Sequence, residues 1–339
     1  MSCSQPNLNP ITMSSIPQPV LSSGFTPISG QRLYVCDNPE PLKQSTFTTP
    51  IVTLWQDSVP SSTSVRYRVF MWHHNDTAQT IKYGLTVGNG GTSPITVGSI
   101  KYETTFTSNN GDILTNAGLC LSKALLGQTL ITDNTTVSVP SNSVKTVKEF
   151  TLTAGQVRGL VMEFTLSSAS AMSAKIRTVA AKNTSALLNT YQGPVVNTEG
   201  THPRGTWSYA DVQGSNITLT VGSNGVSNSV SVLDKQSPVF PGTLPNKAAY
   251  GGIYKTNLTI KNNSGAQTVN LYLNPRGGLF VGAVKVGSNG VNGISKTKPT
   301  EVVKIGAFSI PNGQSITVPI QVTAGGGSST PIAFFAQKA

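Results

Sequence analysis

From Arg32 to the C-terminus the chain repeats one pattern: short runs of Val, Ile, Thr, Tyr and Phe, broken at close intervals by Gly, Pro and Asn. β-branched and aromatic residues fit a pleated, half-buried surface, and the breakers supply turns, so the pattern predicts many short strands. In the run from Val65 to Trp72, one side carries Val65, Tyr67, Val69 and Met71 and the other Arg66, Arg68, Phe70 and Trp72, giving one apolar and one mixed face. The one helical stretch is Asn116 to Leu126, where Leu119, Leu121, Leu125 and Leu126 form a stripe predicted to cap an end of a sandwich. The expected fold class is all-β. At 339 residues the chain exceeds one typical core, which points to two domains.

Internal similarity supports duplication. The segment from Trp72 to Ile81 aligns without gaps on Ile260 to Val269, both passing through an Asn-rich turn and a shared Ala-Gln-Thr. A second match closes each unit: Val139-Pro140 followed by Thr153-Ala154-Gly155 mirrors Ile310-Pro311 followed by Thr323-Ala324-Gly325. The shared order predicts two tandem related antiparallel β-sandwich domains, jelly-roll or Ig-like, at 32–182 and 201–339. An Asn, Thr and Gly-rich linker at 183–200 joins them, and an extended N-terminal arm covers 1–31. The arm is too poor in apolar residues to fold alone. Its spaced Ile16, Val20 and Leu21 suit a strand added to a neighbouring subunit, and Cys3 offers a thiol for cross-linking, making these four the candidate assembly residues.

Charged residues make up only 11% of the chain, and the net charge of +11 reflects 13 acids against 24 bases. The bases stand singly, with no polybasic block, which argues against nucleic acid as a partner. Cys3, Cys36 and Cys120 lack the paired spacing of a zinc knuckle, and Cys120, among leucines, reads as a small apolar residue. No run is long and apolar enough to span a membrane, and the N-terminus lacks a classical export signal.

Chemistry-bearing residues are few. His73 and His74 adjoin Asp76, but neighbours on a strand face opposite sides, so the pair reads as structural. The segment from Thr201 to Asp211 gathers His202, Arg204, Trp207, Tyr209 and Asp211, a candidate junction or ligand site; Arg204 is expected to pair with Asp211 and Trp207 to enter the core. No nucleophile elbow, phosphate loop or metal helix is present, so no catalytic residue, metal or cofactor is expected and an enzyme is disfavoured.

Five blocks carry a family resemblance. Leu33 to Glu40, Leu54 to Asp57, Arg68 to Asn75, His202 to Trp207 and Leu271 to Gly278 resemble segments of poorly characterised two-domain surface proteins of spore-forming Firmicutes, some fused to copper-amine-oxidase-like stalk domains. The resemblance implies a cell-surface or spore-surface, extracellular context and assigns no ligand or reaction. The expectation is a structural homo-oligomer assembling into a filament or coat through its arm. Two alternatives stand beside it: a double jelly-roll capsid protein in a virion, and an adhesive module binding cell-wall or surface polysaccharide through Trp207, Tyr209, Trp55 and Trp72.

Overall fold

A computed structural model describes residues 8–22, 24–108, 112–197 and 200–339. The chain is all-β, and its two domains repeat one plan. In the first, the strands are β1 (Arg32–Cys36), β2 (Ile51–Ser58), β3 (Ser64–Asp76), β4 (Ile81–Asn89), β5 (Ile95–Ser108), β6 (Ser143–Leu152), β7 (Gln156–Ser168) and β8 (Ala174–Ala181). In the second they are β9 (Asp211–Gly214), β10 (Ser229–Val232), β11 (Ile253–Asn262), β12 (Thr268–Pro275), β13 (Phe280–Val286), β14 (Glu301–Ser309), β15 (Ser315–Ala324) and β16 (Ile332–Lys338).

The sheet orders match strand for strand. The first domain has β5-β7-β3-β1 facing β6-β4-β8-β2, and the second has β13-β15-β11-β9 facing β14-β12-β16-β10. Successive strands of each unit alternate between its two sheets, so every core pairing is non-local. Among these strands every pairing is antiparallel except the last of each larger sheet, β1 with β3 and β9 with β11, which are parallel in both domains. A shared exception of this kind marks the two units as related.

The turn after β3 and the turn after β11 show the same relation at atomic level. Asn75 Nδ2 donates to the carbonyls of Gln79 and Leu152, both at 2.7 Å, while its Oδ1 accepts from the backbone N–H and hydroxyl of Thr77. Asn262 does the same with Ala266 and Ile310, both at 2.6 Å, and with Ser264. Both amides are fully buried. The true equivalence is therefore Asn75 with Asn262, one residue away from the gapless alignment, which set Asn75 on Asn263. In both turns the amide reaches the carbonyl four residues on and the next strand begins six residues after the asparagine, whereas the common Ala-Gln-Thr starts one position later in the second turn and draws a gapless alignment off by one.

The apolar side of β3 fills the first sandwich: Tyr67, Val69 and Met71 meet Leu54, Tyr83, Leu85 and Ile176. The mixed side is buried as well. Phe70 and Trp72, with Leu33, Val35, Val157 and Val161, belong to a second cluster that runs without a break through the helix into the core of the second domain, reaching Leu258, Phe280, Val284 and Phe334. The helix, Leu119–Gly127, therefore does not cap a sandwich end. It is wedged between the domains, touching β5 and β7 on one side and β13 and β15 on the other. A sheet covered on one face only would have left Phe70 and Trp72 in water.

Two connecting segments act as straps. Residues 183–197 do not bridge open space between domains; Ala186, Leu188 and Tyr191 pack on Ile51, Val179 and Ala181, and Val196 N–H donates to the Thr53 carbonyl at 2.9 Å. The chain passes between domains later, since Arg204–Trp207 pairs with β1 and the next strand, β9, pairs with β11. The arm adds strands to its own second domain: Ile11–Thr12 pairs with β14, Pro19–Leu21 with β10 and Phe25–Ile28 with β9. The expected place on a neighbouring subunit is thus taken, in the described residues, by the chain's own second domain. Met1–Asn7, and Cys3 with them, lie outside the described residues. Cys36 is a buried free thiol, whereas Cys120 is disulfide-bonded and not merely an apolar filler.

Gly118 tests the domain contact. Its φ of -60° is helical, so alanine would improve helix propensity by about 1 kcal/mol. A Cβ there, however, would stand 2.5 Å from the Gly326 carbonyl oxygen of the second domain. Gly118→Ala is expected to destabilise the chain by about 1–3 kcal/mol in chemical denaturation; a stabilised variant would show that the helix–domain contact is not close-packed.

Candidate functional site

β1 runs out of the sheet at Cys36 into the turn Asp37-Asn38-Pro39-Glu40, and the strand Arg204–Trp207 lies antiparallel beside it, register Arg204 to Cys36. This pairing brings the residue before that strand's entry, His202, over the turn. Asp37 N–H donates to the Pro203 carbonyl at 3.0 Å, and Asn38 Nδ2 to the His202 carbonyl at 3.3 Å. From below, His73 Nδ1 bonds the Pro39 carbonyl at 2.9 Å. A carbonyl only accepts, so Nδ1 carries the proton and Nε2 is bare; burial pushes the imidazole down to about 4 and keeps it neutral. Four of the five resembling blocks thus converge here, because Arg204 Nη1 donates to the Leu54 carbonyl at 2.9 Å and its guanidinium lies over the Trp55 ring.

His202 Nδ1 stands 2.9 Å from Glu40 Oε2 and 3.5 Å from Asp37 Oδ2. Hydrogen bonds to Asp37 and Glu40 raise its imidazole to about 10, against the smaller pull of burial, so it is a cation at neutral pH. Burial raises the Asp37 carboxyl to about 7, partly offset by His202. Burial also pushes Glu40 upward, but His202 outweighs it and holds that carboxyl below its usual range. Among the described residues these three are the one group of His, Cys, Asp or Glu whose donor atoms gather within 4.8 Å of one another. Two carboxylates and an imidazole suit a divalent transition metal. Here the cluster holds its own proton, which a metal would have to displace. Beside it opens a cavity of about 470 Å³ lined by Asn38, Glu40, Lys43, Ser45, Asn197 and His202.

The other junction candidates separate. Arg204 does not pair with Asp211; it serves backbone carbonyls of Leu54 and Val196. Asp211 instead takes Arg68 Nη1 at 2.6 Å and Lys255 Nζ at 3.1 Å, while Arg68 Nε holds Glu163 at 2.8 Å. That network closes the charged rim of the domain interface. Trp207 enters the core, donates to the Pro241 carbonyl at 2.6 Å and packs edge-on against Phe240. Tyr209 stacks on Phe240 and donates to the Val239 carbonyl. Trp72 and Trp207 are buried, so neither ring offers a face to a sugar. Asp37 and Glu40 were singled out only through the resemblance; their signal in the sequence is an acid at each end of a turn closed by Pro.

No protein-family model matches the chain, and no curated protein matches it. Among solved structures it is similar to the tandem CBM22-1–CBM22-2 domain of Paenibacillus barcinonensis Xyn10C, at 10% identity over 84% of this chain and 78% of that one, with a TM-score of 0.20. It is also similar to the CupB6 tip adhesin from Pseudomonas aeruginosa, at 8% identity over 85% and 91%, TM-score 0.18. The PBSX exported protein XepA matches at 8% identity over 84% and 85%, TM-score 0.17. At these values none of them speaks to what this chain does.

The histidine cluster gives a signed pH dependence. Between about 6.5, where an unfolded histidine titrates, and about 10, the folded chain holds a proton that the unfolded chain has lost. The cluster's contribution is complete below about 6.5 and drains away as the pH rises through 10; Asp37 adds a slope of the same sign between its ordinary 3.8 and about 7. The Tm advantage of the natural chain over His202→Gln is therefore expected to be largest near neutral pH and to close by about pH 10.5. A gap that stayed constant across that range would show that the imidazolium does not hold the turn.

Proposed function

We propose that the chain is a non-catalytic structural subunit that assembles with copies of itself into a filament or coat at a cell or spore surface, with the N-terminal arm forming the contacts between copies. The observation that carries this reading is the ownership of the sheet edges. Both outermost strands of the six-stranded sheet of the second domain, Ile11–Thr12 at one side and Pro19–Leu21 at the other, come from the arm. They present Ile11, 45% exposed, on one edge and Val20 and Leu21, 63% and 53% exposed, on the other.

An outermost strand has unpaired N–H and C=O groups, and exposed apolar residues on it favour addition of a further strand. The pairing pattern sends the two edge strands in the same direction, since Ile11–Thr12 is antiparallel to β14 and Pro19–Leu21 is parallel to β10. Joining one edge to the opposite edge of the next copy would pair them parallel. Such a head-to-tail contact propagates as a filament wherever its rotation does not close a ring. The arm then works while bound to its own domain. Ile16 is half-buried between the two edges and belongs to the part that fixes the arm in place.

Supporting features are the fused core, which gives a rigid building block, and the low charge content. The chain's +11 charge opposes close approach of copies, so added salt, which shortens the range of that repulsion, should promote assembly. Electron microscopy and sedimentation velocity of the full chain test the proposal. Filaments or sheets are expected, with Val20→Lys/Leu21→Lys reduced to monomer while its circular dichroism is unchanged. A natural chain that stays monomeric at high concentration and high salt, or a lysine variant that still polymerises, would overturn it.

A further inference from the structure

The smaller sheet of the first domain holds a buried cation without a counter-charge. Arg177, on β8, is 5% exposed, and its Nε and Nη1 are buried with no hydrogen-bond partner. Its cross-strand neighbours are Gln56 on β2 and Thr86 on β4, and the Thr86 hydroxyl is likewise buried and unpartnered. Among the described residues no acid lines the cleft, and Asp57, paired across the strands with Ile176, is engaged with Arg32 and Tyr67. Burial pulls the guanidinium down, and the opposing influence is the Tyr34 hydroxyl, not a carboxylate. A buried charge without partners is strongly unfavourable, and buried donors are otherwise almost always satisfied.

The surroundings form a cleft of about 670 Å³, within the range of small-molecule sites, lined by Ser58, Ser61, Asn142, Ser173, Lys175 and Arg177 among others. Lys175 lies two residues before Arg177 on the same face of β8, exposed at the mouth, opposite Ser58 and Gly88. Gly88 keeps the floor open, since a Cβ there would stand 3.2 Å from Arg177 Nη1. The rim is fixed by Asn89, whose Nδ2 donates to the Ser93 and Val139 carbonyls at 2.9 and 3.0 Å and whose Oδ1 accepts from Gly91 N–H. The smaller sheet of the second domain differs: there Phe335 stacks on Tyr272.

We infer that this cleft binds an oxyanion group, carboxylate or phosphate, carried on a small hydroxyl-rich ligand, with Arg177 as the buried anchor and Lys175 at the mouth. A guanidinium is the side chain best suited to the oxygens of either group, and the serine hydroxyls and Asn142 amide suit the ligand's hydroxyls. The site is independent of the arm edges and of the histidine cluster.

Isothermal titration of the full chain with a galacturonate oligomer, inorganic phosphate and a neutral galactose oligomer tests it, with Tm read in parallel. At least one oxyanion is expected to bind and raise Tm, with the neutral oligomer at least about tenfold weaker. Arg177→Met should lose about tenfold or more in oxyanion affinity with Tm unchanged or raised, because an unpaired buried charge has gone. Lys175→Glu, a surface change, should weaken the same ligand. Uronate binding alone identifies an acidic saccharide and phosphate binding alone a phosphorylated ligand; either upholds the site. Absence of binding by both oxyanions overturns it. So does unchanged affinity in Lys175→Glu together with an Arg177→Met chain that binds normally or loses stability.

Discussion

Phe70 stacks on Trp72 on one side and on Tyr250 of the second domain on the other, and this row of rings decides how the rest of the chain is arranged. Fully burying such side chains contributes about 2–3 kcal/mol each, which only a second layer on the outer face of the larger first-domain sheet can supply. The helix and the second domain are that layer. Close approach then requires glycine: a Cβ on Gly326 would meet the Trp72 ring at 2.5 Å, and one on Gly159 would meet it at 2.6 Å. Two sandwiches held this way share one continuous core, and the charged rim of Arg68, Glu163, Asp211 and Lys255 lies at the edge of the same contact.

The repeat explains what is scaffold. Buried asparagines recur where a strand of either unit turns: Asn75 and Asn89 in the first, Asn262 and Asn274 in the second, each giving both amide protons to backbone carbonyls. An amide that satisfies two carbonyls at a turn does the work of a short strand without adding charge. Features without a counterpart in the other unit carry the particular chemistry. His202 over the Asp37–Glu40 turn and Arg177 under the first domain's outer cleft are both of this kind.

Much of this was legible in the sequence. Period-two alternation from Val65 to Trp72 gave the strand and its two faces, and Arg68 on the mixed face foreshadowed a buried interface, since a solvent face does not need Phe70 and Trp72 beside it. Turn similarity points to the duplication but sets the register one residue off, because the shared Ala-Gln-Thr begins three residues after Asn75 and four after Asn262. The partners of Arg204 and Asp211 were out of reach: each is set by a strand pairing, to β1 for one and β11 for the other, that spacing within a single segment does not encode. The arm's destination was hidden for the same reason. Its composition shows that it must lie on a surface, and only the sheet orders show which one.

Scarcity of charge sharpens the meaning of each charge that is buried. Most ions in this chain that leave water have a partner: Arg32 has Asp57, Arg68 has Glu163 and Asp211, His202 has Asp37 and Glu40. A chain with only 13 acids cannot pair all of its 24 bases, yet surplus bases cost little if they stay in solvent. A lysine-like position at the surface, or a threonine such as its neighbour Thr86, would have filled the place of Arg177 without desolvating a guanidinium. Packing does not require arginine there, since the equivalent sheet of the second domain is finished with Phe335 and Tyr272. What the arginine adds, and an aromatic pair does not, is a guanidinium lining the cleft with two of its nitrogens unpartnered. The exception therefore points to a ligand rather than to the fold.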